Sequence, residues 1–120
     1  MSTRRMQRIN ELIRREVCFM LHREVKDHRI GFTTVMECKV TPDLKEARVY
    51  VSVLGDKKTK KETMAGLESA APYMQGQIGR VANLRFTPRL IFMLDESTEK
   101  AARIDELIKK IKRDEIENME

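Results

Sequence analysis

The chain has few of the residues that characterise secreted or membrane proteins. Its 120 residues include two cysteines, so no disulfide framework is possible beyond one bridge, and this fits a reducing cytoplasm. There is no tryptophan and only 5% of the residues are aromatic, so a core must be mainly aliphatic and methionine side chains. Charged residues interrupt every candidate apolar window, and the sequence therefore predicts neither a membrane span nor a signal peptide.

Patterns typical of catalysis or of several domains are also missing. We find no Ser-His-Asp pattern and no Walker-type phosphate loop, so we expect no enzyme activity. There is no internal repeat and no Pro/Gly/Ser-rich linker. We therefore expect one domain over residues 1–120, ordered over about residues 4–112 and ending in a polar, acidic segment.

Cys18 and His22 lie four residues apart on a predicted helix, and one helical turn can place two metal ligands on the same face. The next candidate ligands, His28 and Cys38, follow at irregular spacing, so the sequence favours no metal site. A zinc titration would distinguish the two interpretations.

Basic residues dominate most of the chain. Residues 1–94 hold 18 Lys/Arg and 10 Asp/Glu, whereas residues 95–120 hold 6 and 9, and no acid occurs from Ser69 to Leu94. These basic residues could simply form a solvated surface, but the excess of positive charge favours a polyanionic partner such as nucleic acid. The candidate phosphate-binding residues form three clusters: Arg4, Arg5 and Arg8; Lys57, Lys58, Lys60 and Lys61; and Arg80, Arg85 and Arg89.

Periodicity predicts the elements of the first half. Residues 4–25 are predicted to be a helix, and two strands, 32–41 and 45–54, are joined by a short turn at Pro42-Asp43 as an antiparallel hairpin. The apolar stripe of the helix is Met6, Ile9, Ile13, Val17 and Met20. The residues predicted to face the core are Phe32, Thr34, Met36, Cys38 and Val40 on the first strand and Ala47, Val49, Val51 and Val53 on the second. The residues predicted to face water on the two strands are Glu37, Lys39, Arg48, Tyr50 and Ser52.

The stretch Glu62–Leu84 has one apolar helix face that runs through Pro72. Proline disrupts a helix interior but is favoured at the first position of a helix. We therefore predict a helix that ends near Ala70 or Ala71 and a second, kinked against it, that begins at Pro72. The capping-box pattern Thr59–Glu62 predicts the start of the first helix. The outward face of the second carries Tyr73, Gly76, Arg80 and Asn83 and no acid.

The apolar run Leu90–Leu94 predicts a buried strand parallel to its neighbour, and a final helix has Ile104, Leu107, Ile108 and Ile111 predicted inward. The expected fold class is α+β in the order α-β-β-α-α-β-α. A three-stranded mixed sheet has residues 45–54 in the middle, helices on one face and water on the other.

This order is that of a type II KH domain, an RNA-binding fold, and the sequence more specifically resembles the ribosome-binding factor A family. The resemblance lies in Val25–Asp56, in Leu67–Ser97, and in an N-terminal helix with paired arginines and Glu24-Val25 near its end. It extends over about residues 4–112, nearly the whole chain.

The resemblance implies a function. Members of the family bind immature small (30S) ribosomal subunits, help to mature the ends of the 16S rRNA, and matter most in the cold. They have no catalytic residues and no cofactor. The implied partners are therefore the small subunit and its 16S rRNA, with no membrane, and we expect a monomer.

The chain departs from the family pattern at two places. Asp27-His28-Arg29 stands where the family usually has Asp-Pro-Arg, and Ala70-Ala71-Pro72 stands where it has an Ala-x-Gly kink. Proline preserves a kink but offers no N–H to a phosphate. We expect the RNA surface to be this kink with Gly76, Arg80 and Asn83, flanked by the lysines before it and by Arg85 after it.

An alternative is a general single-stranded RNA-binding KH protein that uses Gly76-Gln77-Ile78-Gly79 as its Gly-x-x-Gly loop. Only Arg80 to Leu84 would then remain for the following helix, and Ile78 belongs to the apolar face. We therefore predict that both glycines lie within a helix.

Overall fold

The computed structural model describes residues 3–118, apart from the side chains of residues 98, 99, 101, 117 and 118. The elements in chain order are α1 (Thr3–Arg23), β1 (Thr33–Val40), β2 (Glu46–Val53), α2 (Lys57–Val81), β3 (Arg89–Leu94) and α3 (Ser97–Asn118). In the sheet, β2 lies in the middle, antiparallel to β1 and parallel to β3. The predicted α+β class, the mixed three-stranded sheet and the middle strand are confirmed.

One hydrophobic core lies between the sheet and helices α1 and α2. On α1, the predicted stripe is buried from Ile9 to Met20, and Met6 is partly buried. The four inward residues predicted for β2, from Ala47 to Val53, are all buried. Full burial of a side chain such as that of Ile13 stabilises a fold by about 1.5–3 kcal/mol, so this aliphatic layer fixes both helices on one face of the sheet.

The predicted alternation of β1 is wrong in its first half. Val35 pairs with Val51 but Glu37 pairs with Tyr50, so Met36 is an extra residue in a β-bulge. A bulge shifts the side-chain alternation by one residue. Thr33 and Val35 are therefore buried, whereas Phe32, Thr34 and Met36, which were predicted inward, are exposed.

The two central helices predicted to meet at Pro72 form one element, because α2 continues through that proline to Val81. Proline has no N–H, so the carbonyl of Glu68 loses its usual partner within the helix. Glu68 and Pro72 are both exposed, where water can bond to that carbonyl. A bend is expected at such a position, but the helix does not end there.

The start of α2 also differs from the prediction. Asp56 is the N-cap residue, and its Oδ1 accepts a hydrogen bond from the backbone N–H of Thr59 at 2.8 Å. Thr59 is therefore the third residue of the helix and not its cap. Aspartate is among the preferred N-cap residues, and its position places all four lysines of the second cluster inside the helix.

The apolar residues of α3 do not face inward. Ile104, Leu107, Ile108 and Ile111 are 45–59% exposed. Helices α1 and α2 already cover the apolar face of the sheet, so α3 has no core to join. Within residues 3–118, no helix is long and apolar enough to cross a membrane.

Candidate nucleic-acid interface

The three basic clusters lie at two ends of the molecule. Helix α2 has 25 residues, and at 1.5 Å per residue its first lysines lie roughly 35 Å from Arg80. One residue of the first cluster and one of the third come together, since Arg5 and Arg85 line the same cleft. Arg4 and Arg8 line a separate depression on α1. The sequence could not show the proximity of Arg5 to Arg85, because 80 residues separate them.

We call the cleft beside Arg5 and Arg85 the Phe86 cleft. It lies where the start of α1, the β1–β2 loop and the α2–β3 loop meet, and its volume is about 560 Å³. The side chains that shape it are Leu44, Leu84 and Phe86, with Arg5, Lys45 and Arg85 beside them.

The lysine cluster lies at the positive end of a helix dipole. Lys57, Lys58, Lys60 and Lys61 fall within the first five residues of α2, and the first turn contains no acid. An anion near a helix N-terminus stabilises the helix by about 0.3–1 kcal/mol, whereas a cation there opposes the dipole. The arrangement is thus unfavourable for the isolated fold and favourable for a bound anion such as phosphate.

The predicted outward face of α2 is exposed at Tyr73, Gly76 and Arg80. Asn83, which was predicted on the same helix face, is exposed but lies beyond the end of α2 at Val81, in the α2–β3 loop, with a φ of 48°. The helix face is not free of acids, however, because the Tyr73 hydroxyl donates a hydrogen bond of 2.7 Å to Glu24 on the neighbouring loop. This bond raises the pKa of Tyr73 and engages its hydroxyl group. The folded chain therefore brings a carboxylate to a face that appeared wholly basic and neutral in sequence.

The two glycines of the Gly-x-x-Gly pattern both lie inside α2, as predicted. They have different surroundings. A Cβ on Gly79 would lie 2.6 Å from Thr87 Oγ1, so this glycine allows the α2–β3 loop to pack on the helix. A Cβ on Gly76 would have nothing within 4 Å among the described atoms, so packing does not require glycine there.

The segment Ala70-Ala71-Pro72 borders a shallow groove between α2 and β3 of about 300 Å³. Ala71 is buried, Ala70 is half-buried and Pro72 is exposed. On the floor of the groove, Gln75 Oε1 accepts a 3.0 Å hydrogen bond from the Leu90 N–H and so covers part of the sheet edge. Glu68 and Arg89 both line the groove, so it carries one charge of each sign.

The open face of the sheet carries charges of both signs. Lys39 lies 3.6 Å from Glu37, and Glu46 lies 3.5 Å from Arg48 and 3.8 Å from Arg89. Arg89 therefore belongs to this ion-paired face and is not part of the Phe86 cleft. The sheet residues predicted outward, Glu37, Lys39, Arg48, Tyr50 and Ser52, are exposed or half-buried.

The residues weighed as metal ligands do not form a site. Cys18 Sγ and His22 Nδ1 are 3.9 Å apart, but Cys38 is buried in the core, and burial raises its pKa to about 12. Among the side chains that the structure describes, no three His, Cys, Asp or Glu residues are grouped so that they could hold a metal ion.

Sequence reasoning missed an exposed aromatic residue. Tyr50 and Tyr73 are the residues that periodicity places outward, yet Phe86 is 72% exposed, and the Arg85 guanidinium lies 5.6 Å from the centroid of its ring. The available signal was local: an Arg-Phe pair in a loop that ends at a proline. A large apolar side chain in such a loop has no periodic pattern to bury it.

Comparison with known proteins gives a consistent result. The family model for ribosome-binding factor A matches residues 5–108. The ribosome-binding factor A of Halothermothrix orenii is 46% identical over 115 residues, which cover 96% of this chain and 94% of that protein.

Two sets of known coordinates share the fold. The crystal structure of ribosome-binding factor A from Thermus thermophilus superposes with a TM-score of 0.66 at 19% identity and covers 74% of this chain and 94% of that chain. A homology model of the Thermus thermophilus protein, fitted into the cryo-EM map of its complex with the 30S subunit, has a TM-score of 0.53 at 20% identity. It covers 71% of this chain and 93% of its own.

Proposed function

The chain belongs to the ribosome-binding factor A family, and we propose on this basis that it binds the small (30S) ribosomal subunit as a non-enzymatic assembly factor. Its target on the subunit is the 16S rRNA during late maturation and processing, and it acts in the cytoplasm as a monomer. Support comes from the Thermus thermophilus relative, whose coordinates were fitted into a map of its complex with the 30S subunit.

The observation that carries an RNA target is the lysine cluster at the start of α2. Four lysines within the first five residues of α2 oppose the helix dipole. The acid beside them is the N-cap residue Asp56, because the first turn itself contains none. A residue pattern that breaks a local rule of folding invites a functional reason. Phosphate groups of rRNA supply such a reason, because anions bind favourably to lysine side chains at a helix N-terminus. The Thr59 N–H, which donates to Asp56, is already engaged.

The mechanism is binding and release. Contacts to phosphates fix the position of a protein on RNA without reading its sequence, so the shape of the rRNA must supply most of the specificity. The protein favours one conformation of the maturing rRNA and leaves when that conformation is complete. The family resemblance, in addition, implies a role that matters most at low temperature.

A general single-stranded RNA-binding function through Gly76–Gly79 has less support. A Gly-x-x-Gly clamp needs a loop between two helices, whereas both glycines lie within α2 and Gly79 packs on Thr87.

The proposal is tested by co-sedimentation of the protein with purified free small subunits, free large subunits and complete ribosomes. We expect association with free small subunits alone. The variant Lys57→Gln/Lys58→Gln should associate more weakly, whereas Lys39→Gln/Arg48→Gln, which removes the same charge from the ion-paired sheet face, should behave as the wild type. Equal association with all particles, or with none, would contradict the proposal.

A further inference from the structure

The Phe86 cleft has an apolar wall that the fold itself does not explain. The ring of Phe86 is 72% exposed, in a chain in which only 5% of residues are aromatic. Leu44 and Leu84 pack partly against the core and leave their remaining surface to the cleft. An exposed ring beside two aliphatic side chains is a platform on which a flat, apolar-faced group can stack.

The surroundings of this wall are positive. Arg5, Lys45 and Arg85 all line the cleft, and the Arg85 guanidinium lies near the Phe86 ring. The acid among its lining residues is Asp43, whose Oδ1 accepts hydrogen bonds from the Thr41 hydroxyl at 2.6 Å and from the Lys45 N–H at 3.0 Å. That carboxylate is therefore held within its own loop, and three cations outnumber it, so the cleft complements an anionic ligand.

The two loops that bear the cleft are held in place. The Arg89 N–H donates a 2.8 Å hydrogen bond to the Lys45 carbonyl, which ties the β1–β2 loop to the start of β3. The non-glycine residues with positive φ are Leu44 (62°) and Asn83 (48°) within residues 3–118, and each lies in one of these loops. A left-handed conformation is unusual for a residue as bulky as leucine, and strain of this kind often accompanies a binding site.

The volume of the Phe86 cleft is suited to a small ligand. About 560 Å³ lies within the range of 300–1,000 Å³ that is typical of clefts for small ligands. A nucleotide of single-stranded RNA combines a flat base with phosphates on either side. Base stacking on an aromatic side chain tolerates any base, and an adjacent arginine adds to it.

We propose that the Phe86 cleft binds one unpaired nucleotide of RNA, with its base stacked on Phe86 and its flanking phosphates held by Arg5, Lys45 and Arg85. This inference deepens the proposed function and rests on it. The lysine cluster offers only charge and cannot contact a base. The cleft supplies that contact to an unpaired base.

The test uses the full chain and homopolymeric hexaribonucleotides of adenosine and uridine, with binding measured by fluorescence anisotropy. Phe86→Ala should weaken binding by at least about fivefold, the lower limit for loss of one stacked base. Phe86→Tyr should retain binding because it keeps the ring. The matched control is Phe32→Ala, which removes another ring that is 74% exposed but lies outside the cleft. Thermal unfolding followed by circular dichroism should be unchanged for all three variants.

The outcomes separate this inference from the proposed function. Equal binding by wild type and Phe86→Ala, or no binding of either hexanucleotide, would overturn the nucleotide cleft, while co-sedimentation of the same preparations with small subunits reports on the proposed function. If an acidic peptide with an aromatic residue binds as tightly and is equally sensitive to Phe86→Ala, the cleft recognises protein and the inference is wrong.

Discussion

Two guanidinium nitrogens of Arg29 donate hydrogen bonds to the carboxylate of Asp27: Nη2 donates to Oδ2 at 2.7 Å, and Nε donates to Oδ1 at 3.1 Å. The same Nη2 reaches Ser69 Oγ on α2 at 3.0 Å. Beside it, the buried hydroxyl of Thr63 accepts a 3.1 Å hydrogen bond from the Gly31 N–H. The loop between α1 and β1 is therefore fixed to α2, and the intervening residue of this triplet, His28, stays exposed.

This ion pair predicts a pH dependence of stability. The hydrogen bonds from Arg29 lower the pKa of Asp27 from 3.8 to about 2. A carboxyl whose pKa is lower in the folded state stabilises the fold above its unfolded pKa and loses that contribution as the pH falls through the folded value. The difference in unfolding free energy between wild type and Asp27→Asn should be constant near neutral pH and shrink between about pH 4 and pH 2. Urea denaturation at each pH measures it, and a difference independent of pH would refute the assignment.

The two helical glycines should respond in opposite directions to alanine. Gly76→Ala has open space and should stabilise α2 by about 1 kcal/mol, the difference in helix propensity. Gly79→Ala places a Cβ 2.6 Å from Thr87 Oγ1 and should cost about 1–3 kcal/mol through overpacking. Chemical denaturation gives both values. The double variant Gly79→Ala/Thr87→Ala should recover part of the loss, and an equal gain from both glycine variants would contradict the packing role of Gly79.

The lysine cluster should show a conflict between stability and binding. Lys57→Glu and Lys58→Glu each place a favourable charge at the start of α2 and should raise stability by about 0.3–1 kcal/mol at low salt. Affinity for small subunits should fall in the same variants. Unfolding and co-sedimentation of one preparation give both readouts. A loss of stability together with binding would mean that the lysines support the fold instead.

Helix α3 should contribute little to the stability of the domain. Its apolar residues are largely exposed, so a chain that ends at Glu96 should unfold within about 1 kcal/mol of the full chain, as expected for changes away from the core. A loss of several kcal/mol in urea denaturation would show that α3 packs on the domain in solution.

Periodicity was informative where one side of an element is buried. The apolar stripe of α1 and the alternation of β2 were predicted correctly because a core selects residues at those intervals. It failed at Met36, since apolar residues on both sides of β1 conceal a one-residue bulge. It failed again for α3, whose amphipathic pattern indicates a helix but does not reveal whether a partner surface exists within the chain.

The candidate site was less predictable than the fold. The lysines at the start of α2 were visible as a charge run, but their position within the first five residues of the helix became clear only when Asp56 was found to be the N-cap residue. The Phe86 cleft depends on three segments that meet only in the folded chain. A local sequence pattern cannot show that distant segments lie close together, and this is why Phe86 and Lys45 were not among the predicted site residues.

The central claim is that the protein binds small subunits through phosphate contacts, and the most direct test is the dissociation constant for free small subunits over a series of salt concentrations. The logarithm of the association constant should fall linearly with that of salt, by about 0.7–0.9 for each phosphate neutralised. Lys57→Gln/Lys58→Gln should reduce that slope by roughly twice this amount, whereas Lys39→Gln/Arg48→Gln should leave it unchanged. Binding that is insensitive to salt, or slopes that are the same in all three proteins, would contradict the claim.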